Sequence, residues 1–424
     1  MLTMRPRGTN DLLPEELEKW HYVEQILHDI AFLYGYREIR TPIFEHTELF
    51  QRSVGESTDI VSKEMYTFLD RGKRSLSLRP EATASTVRAF LENKLYAGPL
   101  PVKLYYLGPM FRYDRPQAGR YRQFHQFGVE AFGSNEPSLD AEVIAMAWDI
   151  YLHLGLTNLT LELNSVGCPK CRKEHAEKLR AYLQTKLQDL CTDCRERFVK
   201  NPLRILDCKQ AICQEIVNES PLLEEMLCSE CRNHFQSVRE YLELLEIPYV
   251  LNPRLVRGLD YYTKTAFEIM VPEIGAQSSI GGGGRYDQLI LECGGPDLPG
   301  IGYALGLERI LLAMESQGVK FPIQRSSQVF VAAIGEKAVR ESVKIVQELR
   351  QRGLLVERDY LARSLKSQLK TADRLGVLYT VILGEIELQQ QEVVIRNMFS
   401  GEQKKIAYEN LVVYLGEKLG GKER

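Results

Sequence analysis

Residues 104–132 read LYYLGPMFRYDRPQAGRYRQFHQFGVEAF, and the fold turns on how this stretch is taken. Leu104–Tyr113 is aromatic and apolar, as strands are. Asp114–Arg122 carries Pro116 and Gly119, both turn residues. Phe124–Phe132 is a second strand, so the stretch predicts two strands joined by a basic loop. Strand side chains alternate faces, which puts Gln126, Gly128 and Glu130 on one side and His125, Phe127, Val129 and Ala131 on the other. One face is apolar. The other offers an amide and a carboxylate with a glycine gap between them. Arg112, Arg115, Arg120 and Arg122 crowd the strand end and the loop. Guanidinium forks match phosphate oxygens, so the residues predict a cleft in which Glu130 grips a small polar ligand while arginines hold a polyphosphate. The alternative from these residues alone is a solvated hairpin with a basic tip.

Working outward, 424 residues allow two or three domains, and 44% hydrophobic content supplies a sizeable core. The formal net charge of −3 lacks the strong basicity that often announces a nucleic-acid partner. Any RNA contact must then come from local patches. No run of about 18 apolar residues argues for a membrane span, and the N-terminal MLTMRPRGTNDLLP has no apolar core of a signal peptide. The expected location is cytoplasmic. Nine cysteines, six of them in CxxC pairs, suit metal binding in a reducing compartment better than disulfides.

The chain divides into a body formed by residues 1–167 and 246–323, a charged helix-prone insertion over 168–245, and a segment over 326–424 that alternates strands and helices. Pro14 opens a helix with Leu17, Trp20, Leu27 and Ile30 on its core face, and Tyr36–Phe44 reads as a strand ending in Thr41-Pro42. LSLRPEATA (76–84) is a strand that hands over at Pro80 to a loop or helix, which leaves Glu81 and Thr83 at a strand end. Glu81 would either bind a ligand or cap the following helix. In the insertion, Cys168/Cys171 and Cys191/Cys194 have nineteen residues between the pairs, a spacing that predicts one structural zinc held by these four. Cys228/Cys231 is a third pair and Cys208 a spare candidate. Metal-free thiols on helices are the other reading.

Three further stretches matter. LVRGLDYYTKTAFEI (255–269) sets Arg257 beside Gly258; Arg257 and Tyr262 can meet one ligand only if the chain turns near that glycine. SIGGGGRYDQLI (279–290) marks backbone passing close to something and is not a Walker loop, because Arg285-Tyr286-Asp287 follows the glycines. GIGYALGLERILLAME (300–315) reads as a strand and then a helix from Leu307, with Arg309 in its first turn facing the cleft. Toward the end, Val329–Ile334, Leu354–Glu357, Tyr379–Leu383 and Val393–Met398 read as strands, with helices near 336–352 and 363–375 and a hinge at Gln324–Ser327. Arg363, Lys366, Lys370 and Arg374 form one basic stripe at helical spacing.

YLGPMFRYDRPQAGRYRQFHQFGVEAFG resembles motif 2 of class II aminoacyl-tRNA synthetases, in the version found in histidyl-tRNA synthetases. Residues 14–44 resemble motif 1, residues 300–315 motif 3, and 255–269 and 279–290 the two histidine-specific stretches. The resemblance covers nearly the whole chain. It implies an α+β fold: a class II catalytic domain built on an antiparallel sheet flanked by helices, a helical insertion that reaches toward the acceptor arm, and a C-terminal α/β anticodon-binding domain. It implies a homodimer that ligates L-histidine to tRNA(His) through a histidyl-adenylate, using ATP with Mg2+ and releasing AMP and diphosphate. By resemblance, Glu81, Thr83 and Gln126 take the ammonium group, with Ala82 where the family usually has glycine. Glu130, Tyr261, Tyr262 and Tyr286 form the ring pocket. Arg257 and Arg112 are catalytic, Arg120 and Arg309 complete the ATP site, and Arg115, Gln117 and the basic stripe face tRNA. The family's chemistry does not need the zinc. Two rival readings remain: a catalytically silent relative acting as a regulatory subunit of histidine biosynthesis, and a class II synthetase for another amino acid.

Overall fold

The predicted hairpin supplies the second and third strands of an eight-stranded sheet. The computed structural model describes residues 3–55, 58–208, 210–322 and 328–420, and the chain falls into two units, Met1–Pro322 and Ile323–Arg424. The first unit carries β1 (Arg37–Glu38), β2 (Phe44–His46), β3 (Thr67–Leu69), β4 (Ser75–Leu78), β5 (Val102–Phe111), β6 (Gln123–Phe132), β7 (Thr160–Ser165), β8 (Val250–Leu251), β9 (Thr263–Met270), β10 (Ser279–Arg285) and β11 (Gly300–Gly306). The sheet runs β1-β5-β6-β11-β10-β9-β7-β8. Its six central strands are antiparallel, while β1 and β8 add parallel at the edges. The strand expected over 36–44 is a correction. It breaks into β1 and β2, which belong to different sheets, because Pro42 lies between them and offers no N–H to a ladder.

The two faces of the hairpin separate as the alternation predicts. Phe127, Val129 and Ala131 are buried against Trp20, Val23, Leu27 and Ile30 of the helix Pro14–Leu33 and against the helix Pro137–His153. Each fully buried aliphatic or aromatic side chain of this kind stabilises by roughly 1.5–3 kcal/mol. The helices occupy the apolar face and leave the Glu130 face for chemistry.

The insertion is helical, over Pro169–Gln184, Thr192–Lys200, Ala211–Asn218 and Ser229–Leu244. Its last helix is fastened to the sheet through a buried ionic knot that the sequence pattern does not reveal. Asp140 Oδ2 accepts from Thr265 Oγ1 at 2.6 Å and lies 2.9 Å from His234 Nε2. Arg285 Nε lies 3.1 Å from Asp140 Oδ1, and a second guanidinium nitrogen pairs with the same oxygen. Burial alone would raise the Asp140 carboxyl, but Arg285 and His234 outweigh it and hold it below the usual carboxylate range. Removing one partner of such a knot strands the other charge, so Asp140→Ala is expected to cost about 3–5 kcal/mol in urea unfolding at neutral pH. Because the carboxyl is held low, the stability it supplies is present above its ordinary range and is lost as pH falls through the lowered value. The gap between the variant and the parent should therefore narrow in acid.

The second unit has β12 (Val329–Ala333), β13 (Val356–Arg358), β14 (Tyr379–Leu383), β15 (Glu392–Asn397) and β16 (Gln403–Ala407) in the order β13-β12-β14-β15-β16. Helices Glu336–Gln351 and Leu365–Arg374 join its parallel strands, an α/β arrangement as expected. The basic stripe is corrected at one end. Ser364 is the N-cap of the helix, so Arg363 lies before it and is engaged by Asp359 and Thr371. Lys366, Lys370 and Arg374 remain exposed on the helix itself. The hinge expected at 324–327 lies outside the described residues.

Candidate active site

A cleft of about 620 Å³ opens on the polar face of the sheet. Its floor is built around Glu130, which is only 1% exposed. The carboxylate accepts from Thr83 Oγ1 at 2.7 Å, from Tyr106 Oη at 3.3 Å, and from Tyr286 Oη. The sequence reading presents Glu130 directly to a ligand. In the structure it lies beneath Thr83, Tyr106 and Tyr286, and these three line the cleft. Burial pushes its carboxyl up to about 8, against the pull of the three hydroxyl donors.

The glycines are explained by what they make room for. Gly302 sits opposite Glu130 in the β6/β11 register, and a Cβ there would overlap the Glu130 carboxylate. The gap at Gly128 is filled by the Tyr106 ring from β5, its register partner. Tyr106 was missed from sequence, although the gap opposite it was the available signal. In SIGGGG, Gly282 pairs with Glu268, and a Cβ at Gly282 would lie 2.9 Å from Arg257 Nη1.

Arg257 itself comes from an irregular segment between β8 and β9, as required if it and Tyr262 share a ligand. Its Nη1 is 3.2 Å from Glu268 Oε1, and its Cζ is 5.8 Å from the Tyr262 ring. Among the described residues, its buried Nε has no hydrogen-bond partner, nor has Gln126 Oε1, and both residues line the cleft. Tyr261 packs between Tyr262 and Tyr286, with ring centroids 4.7 and 5.5 Å away. Glu81 takes the capping role at the start of a helix and also faces the cleft. Its oxygens accept from the Thr83 and Ala84 N–H groups at 2.7 and 3.0 Å, capping the helix Thr83–Glu92, and the residue lines the cleft.

At the other end, Arg112 Nε donates to the Pro80 carbonyl at 2.8 Å and Arg120 pairs with Asp114 at 3.2 Å. Arg309 donates to the Gly119 and Ser279 carbonyls at 3.2 and 2.7 Å, joining the hairpin loop to β10. All three line the cleft. Arg122 departs from the expected cluster: it stacks on Tyr113 at 3.9 Å and donates to the Asp114 carbonyl, so the loop consumes it. Arg115 and Gln117 are exposed on that loop. Two arginines not expected at the site, Arg197 and Arg204, enter the cleft wall from the insertion.

The cysteine grouping is also corrected. Cys168/Cys171 meet Cys228/Cys231, whereas Cys191/Cys194 meet Cys208 and Cys213. The two pairs expected to share one ion thus belong to separate clusters, because the helices opening at Cys168 and Cys228 come together at the base of the insertion, whereas Cys191 lies in its outer lobe.

An antiparallel sheet flanked by helices, with arginines converging on one polar face, is the architecture of class II aminoacyl-tRNA synthetases. Family models sharpen this: residues 8–310 match "Histidyl-tRNA synthetase" and residues 328–418 match "Anticodon binding domain". The chain belongs to the histidyl-tRNA synthetase family. It is 60% identical to a histidine–tRNA ligase of Desulforamulus reducens, over 98% of this chain and 99% of that one. It is 58% identical to one of Pelotomaculum thermopropionicum over the full length of both. The crystal structure of apo S. aureus histidyl-tRNA synthetase matches with a TM-score of 0.83 at 42% identity, covering 97% of this chain and 99% of that one.

Proposed function

We propose that the chain activates L-histidine with ATP, forming histidyl-adenylate and diphosphate, and then transfers the histidyl group to tRNA(His) with release of AMP. The observation that carries the histidine specificity is the buried Glu130 carboxylate, ringed by three hydroxyl donors under a tyrosine-lined cleft. A small aliphatic substrate would give that carboxylate nothing to bond. In this reading the imidazole enters among Tyr261, Tyr262 and Tyr286 and exchanges a hydrogen bond with the Glu130 group. Glu81, Thr83 and Gln126 take the ammonium end.

Activation joins two anions, since the histidine carboxylate attacks the α-phosphorus of ATP. Arg257 and Arg112 neutralise both and act most strongly as charge shifts in the transition state. Arg120 and Arg309 hold the β- and γ-phosphates. No protein base is required, because the attacking carboxylate is already ionised; proximity and charge carry the step. ATP enters as its Mg2+ complex. The carboxylates Glu64 and Glu268 line the cleft, and one or two carboxylates beside substrate phosphates are what Mg2+ usually takes from a protein. Arg115 and Gln117 meet the acceptor end of tRNA, and Lys366, Lys370 and Arg374 give the second unit a basic contact for the anticodon arm.

The chain works as a homodimer in this reading. Supporting it, Phe32 and Leu33 are 80% and 76% exposed at the end of the helix that resembles motif 1. No helix among the described residues is long and apolar enough to cross a membrane, and we assign the protein to the cytoplasm. The silent regulatory reading is disfavoured because Arg112, Arg257 and Arg309 are all present and the full-length relatives above are ligases. ATP–diphosphate exchange with each amino acid in turn tests the proposal. Exchange with histidine alone is expected; exchange with none, or with another amino acid, would overturn it.

A further inference from the structure

The nine cysteines are free thiols, and eight of them gather into two sets of four whose sulfurs all lie within 4.8 Å of one another. Cys168 and Cys171 sulfurs are 3.6 Å apart, and those of Cys191 and Cys208 are 3.9 Å apart. Four thiolates around one tetrahedral ion, each at a Zn–S distance of about 2.3 Å, stand about 3.8 Å apart. The same distances are far beyond a disulfide bond of about 2.05 Å. We propose that the insertion holds two structural zinc ions, one in Cys168/Cys171/Cys228/Cys231 and one in Cys191/Cys194/Cys208/Cys213.

The backbone is arranged for thiolates. Cys168, Cys191 and Cys228 each stand immediately before a helix, at its N-cap, where the helix end favours the ionised sulfur. The Cys228 N–H donates to Cys171 Sγ at 3.2 Å, and the Cys191 N–H donates to Cys213 Sγ at 3.3 Å. Such second bonds orient ligands and hold charge on the sulfur. Each centre forms by loss of four thiol protons to solvent and gain of one Zn2+; no electrons move. With all four positions filled by protein, neither ion has a place for substrate.

The two ions do different work. The first ties the chain where it leaves the body, just after Gly167, to the start of the helix that returns to it, Ser229–Leu244. The second braces a lobe whose own core is small, formed by Leu179, Leu183, Leu190, Ile205 and Val217 around the cysteines. That lobe reaches the cleft wall: Arg197 pairs with Asp59 at 3.2 Å, and Arg204 pairs with Asp260 at 3.1 Å and donates to the Gly258 carbonyl at 3.0 Å. So few apolar contacts make a metal cross-link the natural support for this arm.

The test is metal content of the full chain purified without chelator and then incubated with Zn2+ alone and desalted. Two zinc per chain are expected, with nine thiols titrating once the protein is denatured and stripped. Cys208→Ser and Cys228→Ser should each retain one zinc, and Cys293→Ser, which lies outside both sets, should retain two. X-ray absorption on the unmodified protein needs no variant to fold, and it should give four sulfur neighbours at about 2.3 Å. One zinc per chain or fewer, fewer than nine thiols, or a shell containing nitrogen or oxygen would overturn the proposal.

Discussion

Glu130→Ala is expected to lower kcat/KM for histidine in diphosphate exchange by roughly 10⁴, the scale at which a site built for hydrogen bonds loses discrimination when one side is left unpaired. The variant should still fold, because what it removes is a buried acceptor, not the apolar packing of the opposite face. Glu130→Gln separates shape from charge. An amide oxygen can still accept from a neutral ring, so the loss should be smaller, but the proton inventory changes. In the free enzyme the Glu130 carboxyl titrates near 8 because it is buried, while a histidine ring titrates near 6.5 (roughly). The complex needs one proton shared between them. Near neutrality that proton is already on Glu130, so binding exchanges almost none with buffer. Below about pH 6 the ring brings a second, and one is released; above about pH 8.5 neither carries one, and one is taken up. Histidine affinity should therefore peak between about pH 6.5 and 8. Calorimetry in buffers of different ionisation enthalpy reads this directly, and proton exchange that stayed flat from about pH 5.5 to about pH 9 in the parent enzyme, with neither release in acid nor uptake in base, would refute the assignment. The same raised carboxyl contributes stability at acid pH that is lost as pH climbs through about 8. Unliganded Glu130→Gln should lack that decline.

How much of this was legible beforehand follows from which interactions are local. Alternation along 104–132 separates Phe127, Val129 and Ala131 from Glu130 without any knowledge of the fold, since the strand period is fixed. The glycine runs told that something passes close by, but not what. Only the register of β6 with β11, and of β9 with β10, brings Gly302 against Glu130 and Gly282 against Arg257. Asp140 escaped notice for the same reason. Nothing within its helix marks it, and its partners Arg285, Thr265 and His234 come from three distant segments. The cysteines failed differently: CxxC spacing identifies pairs correctly but cannot decide which pairs meet, and sequence proximity favoured the wrong partnership. Arg197 and Arg204 belong to a stretch whose charges look like a solvated helical face. Their place at the cleft depends on a docking that no periodicity encodes.

Arg257→Ala should lower kcat for histidyl-adenylate formation by about 10²–10³, the cost of removing one preorganised charge from a developing transition state, with a smaller change in KM. The guanidinium already has Glu268 at 3.2 Å and the Tyr262 ring beside it, and among the described residues its buried Nε has no hydrogen-bond partner. It is held in place across Gly282, with donor capacity left over, before any substrate arrives. Lysine is a poor substitute, because an ammonium group is a point charge and cannot fork between a carboxylate and a phosphate oxygen; Arg257→Lys should recover little of the loss. Glu268→Gln is the control. If Arg257 acted only by satisfying Glu268, the two variants would fall together. If it acts on the reacting anions, Glu268→Gln should stay well above Arg257→Ala in single-turnover adenylate formation. Equal rates in the two variants, or an Arg257→Ala defect confined to KM, would move the charge-neutralising role elsewhere, with Arg112 the remaining candidate among the arginines that line the same cleft.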